Sequence, residues 1–138
     1  MPIVFVRTIE SIDGSTVTVD APVMTRLDKS LSQSTLYHRD RIQVVEEVGL
    51  EDLRIDIETE GPTSETQARN AVLFGLVENA WAEGVTALHF WHSGFSVQNS
   101  RYVTIRKCQA LEPHSVLDAT KRYNFEAFKS QLVLFEGN

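Results

Sequence analysis

From Val85 onward, short apolar runs recur quickly, with turn residues between them. Val85–Phe90, Gly94–Val97, Tyr102–Cys108 and Gln131–Phe135 are four such runs. Strands this short do not each build a core alone. Their rapid recurrence predicts a solenoid, in which successive turns of chain stack and bury one continuous interior. Val85-Thr86-Ala87 aligns with Val103-Thr104-Ile105, and Leu53-Arg54-Ile55 shares the pattern. That register puts Val103, Val85 and Leu53 in one inward column, and Ile105, Ala87 and Ile55 in the next. Arg54, Thr86 and Thr104 then face outward, beside Asp56, Leu88 and Arg106.

The start of the chain carries a different signal. Val4, Val6, Ile9 and Ile12 lead to Asp13-Gly14 and then to Thr16-Val17-Thr18-Val19. An Asp-Gly pair between alternating runs predicts an antiparallel hairpin, because glycine accepts the positive φ of the tight turn. Pro22 ends the second strand. Residues 24–40 read as a long loop with a short strand near Thr35-Leu36-Tyr37. The expected organisation is a hairpin and connecting loop over 1–40, then parallel turns of solenoid over 41–138. Residues 64–82 are open to two readings. Ser64-Glu65-Thr66-Gln67 fits a helix capping box, yet Gly75 and Asn79 also suit short buried strands. A helix there would make the chain a compact α+β domain.

The formal charge of −6 and the absence of any basic stripe argue against a nucleic-acid partner. No apolar run reaches the roughly 18 residues a membrane span needs. Met1–Arg7 lacks the basic segment, long apolar stretch and small-residue cleavage site of a signal peptide. Cys108 is the sole cysteine, so no internal disulfide forms. It reads as a small core hydrophobe, since no local base accompanies it.

Several phrases resemble bacterial right-handed parallel β-helix proteins of the pectate-lyase-like superfamily. They are Val48-Gly49-Leu50-Glu51-Asp52-Leu53-Arg54-Ile55, Glu78-Asn79-Ala80-Trp81 before Val85-Thr86, and Asn99-Ser100-Arg101-Tyr102-Val103-Thr104-Ile105. Lys121-Arg122-Tyr123-Asn124-Phe125 followed by Gln131-Leu132-Val133-Leu134 resembles a later turn of the same proteins. The resemblance implies an all-β right-handed parallel β-helix preceded by an antiparallel hairpin, and an exported, carbohydrate-related setting. It also implies further turns beyond Asn138, so a partial solenoid that self-associates through its open end is expected. The fold by itself names no reaction.

Glycan chemistry needs paired carboxylates or a basic residue near a bound uronate. Among Asp52, Asp56 and Asp118, only Asp56 falls on the outward face of an expected strand. The Asn-Thr-Asp, Asp-Asp and Gly-His-Gly signatures of β-helix polygalacturonases are absent, as is the arginine and calcium-ligand pattern of pectate lyases. The candidates for chemistry are Asp56, Arg106 and His89; those for sugar contact are Trp91, His92 and Arg54. Trp91 offers an apolar platform, and a histidine a hydrogen bond or a proton. The plainer alternatives are a solvated Arg54–Asp56 pair, a surface Arg106, and a Trp91 that packs a corner. His89 and His92 lack a third zinc ligand, and the acidic run from Glu46 to Glu60 lacks a calcium-binding loop, so no metal and no cofactor is expected. Asn79 and Asn99, at turns, suggest an internal amide ladder.

Two functions compete. One is a glycan-binding module of a polysaccharide lyase or hydrolase, extracellular in its full-length form, with poly- or oligosaccharide as partner. The other is a noncatalytic structural or adhesive solenoid.

Overall fold

The computed structural model describes residues 3–31, 33–38, 40 and 43–138. The chain forms two compact units, Met1–Arg41 and Ile42–Asn138. The boundary expected at residues 40 and 41 touches Arg41, which lies outside the described residues. No helix occurs among them, so the α+β alternative is overturned.

In the first unit, β1 (Ile9–Asp13) and β2 (Thr16–Val19) pair antiparallel. Gly14 and Ser15 make the turn, with Gly14 at φ 57°. Glycine takes that conformation without the steric clash of a side chain. Asp20 closes the open end by accepting the Thr8 amide on Oδ1 at 3.0 Å. The short strand expected at Thr35-Leu36-Tyr37 does not form.

The second unit is built from three parallel sheets. Its strands are β3 (Val45–Glu46), β4 (Gly49–Glu51), β5 (Arg54–Asp56), β6 (Asn70–Gly75), β7 (Val77–Glu83), β8 (Thr86–Leu88), β9 (Ser93–Gln98), β10 (Arg101–Arg106), β11 (Gln109–Leu111), β12 (Tyr123–Phe128) and β13 (Gln131–Glu136). The first sheet runs β13-β10-β7-β3, with β4 also on β7; the second runs β11-β8-β5; the third runs β12-β9-β6. The chain visits the three sheets in the same order each time. Partners in neighbouring strands stand 23 residues apart at Glu78 and Arg101, and 30 apart at Ser96 and Glu126.

Left-handed residues recur at fixed places in this order. Glu47, Asn79, Tyr102 and Leu132 interrupt the first sheet with φ between 53° and 57°. Asp52, Gly84, Lys107 and Gly137 end it with φ between 48° and 63°. Leu76, Asn99 and Lys129 occupy the turn from the third sheet back to the first, and His89 and Glu112 the turn after the second. A side chain in this region costs roughly 1–2 kcal/mol. The ladder offsets it: the amides of Asp52, Gly84 and Lys107 donate to the carbonyls of Glu83, Arg106 and Glu136.

The three sheets contribute to one core. Phe90, Phe95, Val85, Val97, Val103, Ile105 and Cys108 are fully buried, and Phe95 stacks on Phe125 with ring centroids 5.3 Å apart. Strict alternation explains which side chains enter: β6 and β10 bury every second residue. The segment left open at 64–82 is strand from Asn70 onward. Its buried apolar residues, Val72, Phe74, Val77, Ala80 and Ala82, fit period two once left-handed Leu76 and Asn79 interrupt the run.

Two sequence expectations need correction. Leu53-Arg54-Ile55 does align with Val85-Thr86-Ala87, as Arg54 pairs with Thr86 and Ile55 with Ala87. Val103-Thr104-Ile105 belongs to a different sheet and pairs with Ala80-Trp81-Ala82 and Val133-Leu134-Phe135. The pattern is the same in both sheets, so similarity alone slid the third segment by one strand position. Asn79 and Asn99 stand in different columns and are exposed, so they form no internal ladder. The buried turn is satisfied instead by hydroxyls: Ser100 Oγ accepts the Val77 amide, and Ser130 Oγ accepts the Ser100 amide.

Candidate functional site

Two outward surfaces of the second unit gather polar side chains. On the second sheet, Arg54 and Asp56 share one strand face, 3.3 Å apart and both more than half exposed. His89 leaves the end of β8, where its φ of 60° turns the chain. Its Nδ1 lies 2.8 Å from Asp56 Oδ1, and its Nε2 lies 3.3 Å from Glu112 Oε2. The His89 hydrogen bond, then Arg54, holds the Asp56 carboxyl below its ordinary range. The His114 ring lies 4.3 Å from that of His89, and its Nδ1 is 2.7 Å from Thr59 Oγ1. The cluster ties successive strands of one sheet together across their exposed side.

The first sheet carries the other surface. Gly49, Trp81, Thr104 and Leu134 are register partners, as are Glu51, Glu83, Arg106 and Glu136. Adjacent members of such a column stand about 4.8 Å apart. The Trp81 indole lies over Gly49, where an added Cβ would come within 2.1 Å of Cε2. Glycine is therefore required beneath the ring. The indole N–H donates to Glu51 Oε1 at 2.7 Å, and 36% of the residue remains exposed. Glu83 takes Arg106 on one oxygen at 2.5 Å and Lys107 on the other at 3.1 Å. Arg106, then Lys107, holds the Glu83 carboxyl below its usual range. The Arg106 guanidinium is pushed up mainly by Glu83, with Glu136 and Glu51 adding to it. Glu51, Trp81, Glu83, Thr104 and Arg106 line a hollow of about 370 Å³.

The expected His89-Trp91-His92 cluster is divided. His89 joins Asp56 and Arg54, whereas His92 is buried under the third sheet, 3.7 Å from Glu126 and edge-on to Tyr123. Burial, then the nearby Arg69 charge, lowers the His92 pKa, and Glu126 opposes them. Trp91 is half-buried, with the Arg69 guanidinium 5.5 Å and the Lys121 ammonium 5.9 Å from its ring. Arg106 lies with Trp81, away from both. Asp118 sits in the loop before β12, where Thr120 and Lys121 hold its pKa at about 2. Cys108 is buried, its thiol pushed up by that burial.

Sequence reasoning missed Trp81 as a surface feature. The available signal was Gly49 and Trp81 in matching outward positions, but it required the strand register. Among the described residues, no group of three or more His, Cys, Asp or Glu is arranged to hold a metal ion. No protein-family model, curated protein or solved structure matches this chain.

Proposed function

We propose that the second unit is a right-handed parallel β-helix of the pectate-lyase-like kind, and that its first sheet binds a glycan on its outward face. The repeated sheet order and the recurring left-handed positions support the helical winding. Right-handed crossovers predominate between parallel strands, at about 98% of cases, which supports the right-handed reading. Polysaccharide or oligosaccharide is the partner, and an extracellular setting accompanies it.

The observation that carries the binding reading is the Trp81 platform. An indole laid over a glycine and tied by its N–H to Glu51 is a fixed apolar surface. Sugar rings present C–H faces to such surfaces and hydroxyls to the polar groups beside them. Glu51, Thr104 and Arg106 supply those groups along the hollow. Arg106, a candidate from the sequence, lies in this surface. The reading is of binding, without turnover by this chain.

The test is a fluorescence titration of a Trp91→Phe variant, in which Trp81 is the remaining tryptophan, against a broad glycan panel. Saturable change with at least one oligosaccharide, weakened at least about tenfold by Trp81→Ala under calorimetry, is expected; tenfold corresponds to about 1.4 kcal/mol. A panel with no response, from protein that keeps its circular dichroism spectrum, would end the reading.

A further inference from the structure

The charges around the Trp81 platform define what kind of sugar chain it accepts. Glu51, Glu83 and Glu136 share one outward column with a single cation, Arg106. Lys107 adds a second cation at the strand end, but both it and Arg106 are paired to Glu83. Asp52 stands next in the chain to Glu51, with its carboxylate against Gly84. The surface therefore carries four carboxylates against two cations, and those cations already face a carboxylate.

A bound sugar meets hydrogen-bond acceptors here more than donors. Glu51 has one oxygen on the Trp81 N–H and, like any carboxylate, further lone pairs for hydroxyl donors. A sugar hydroxyl satisfies such an acceptor. A sugar carboxylate does not: beside Glu51 it is another like charge, and anions that approach one another are disfavoured.

We propose that the Trp81 face selects uncharged sugar chains over uronate chains. The inference rests on the glycan-binding reading and names the substrate class of that same surface. Selection comes from repulsion by Glu51 and its column, together with attraction of the C–H face to the indole. The region around Trp91 makes the contrast, since Arg69 and Lys121 approach that ring instead of carboxylates.

Matched ligands isolate the charge. Neutral oligosaccharides of several backbones are titrated into the Trp91→Phe protein beside their C6-oxidised uronate counterparts, at low salt and at 0.5 M salt. At least tenfold tighter binding of a neutral chain at low salt is expected, with the gap narrowing in high salt because screening weakens repulsion. Glu51→Gln keeps a carbonyl acceptor for the indole and removes the charge, so it is expected to narrow the ratio of neutral to uronate affinity several-fold, whatever it does to the two affinities separately. Equal or tighter uronate binding at Trp81 overturns the inference and leaves glycan binding intact. A gap that neither salt nor Glu51→Gln changes also overturns it. Silence from every ligand overturns both. Calorimetry on the unmodified chain and on Trp81→Phe repeats the comparison without relying on the Trp91 replacement.

Discussion

The hairpin and the parallel sheets both rest on alternating apolar residues, yet the alternation accomplishes different things in each. In the hairpin, Ile9 is 51% exposed, Ile12 66% and Val17 42%. In β9 and β10, Phe95, Val97, Val103 and Ile105 are fully buried. Period two establishes that a segment is extended. A third dimension of packing decides whether that extension is worth much free energy. Local turn chemistry holds the hairpin, whereas the parallel strands depend on partners far away in the chain.

The largest break in this comparison is Phe95→Ala. Phe95 is buried and stacked on Phe125, and removing such a ring costs about 3–5 kcal/mol. Ile12→Ala, at an exposed position, is expected to stay within about 0.5 kcal/mol. Urea unfolding of the full chain measures both. Comparable losses would mean that Ile12 has packing its exposure does not reveal.

Gly94→Ala probes the tightness of the parallel region. An added Cβ would lie 2.4 Å from Ala110 Cβ and 2.9 Å from the Asn124 carbonyl oxygen. Overpacking of this kind costs about 1–3 kcal/mol. A neutral result in the same unfolding assay would show that β9 shifts to make room.

What was legible in the sequence divides along the same line. Asp13-Gly14 announces its turn because the cause lies within two residues. Strand identity in β5, β8, β9, β10 and β13 was legible from alternation. Register was not: Val85-Thr86-Ala87 and Val103-Thr104-Ile105 carry one pattern on two sheets, and only the enclosed core distinguishes them. The same limit hid Trp81, whose platform depends on Gly49, and the pairing of His89 with Asp56 across 33 residues. Left-handed Leu76 and Leu132 were also illegible, since leucine gives no local hint of positive φ. Of the candidate site, the residue types were readable, while the division of His89 from His92 required the fold.

A smaller effect comes from pH. His92 has a folded pKa below its ordinary 6.5 because burial disfavours the charged ring. The unfolded chain then binds the proton more readily, so stability is full above pH 6.5 and declines as pH falls below it. His92→Gln is expected to flatten the decline just below pH 6.5 in urea midpoints. Asp118 acts lower: its stabilising contribution is present above pH 3.8 and is lost as pH falls toward about 2. An unchanged slope near pH 6 in His92→Gln would remove His92 as the source.

The finest test separates the two regions directly. Gly14 sits at φ 57°, and an added Cβ there meets nothing within 4 Å. Gly14→Ala therefore costs only backbone strain, about 1 kcal/mol. A two-stranded hairpin is marginally stable alone, so that amount is a large part of what closes it. Amide hydrogen exchange in β1 and β2 is expected to accelerate about fivefold. Protection at Val97 and Ile105 should not change, because the core contacts there do not involve the turn. Faster exchange at both places would join the regions into one cooperative unit. Loss confined to the hairpin would establish that local turn chemistry and distant packing stabilise this chain separately.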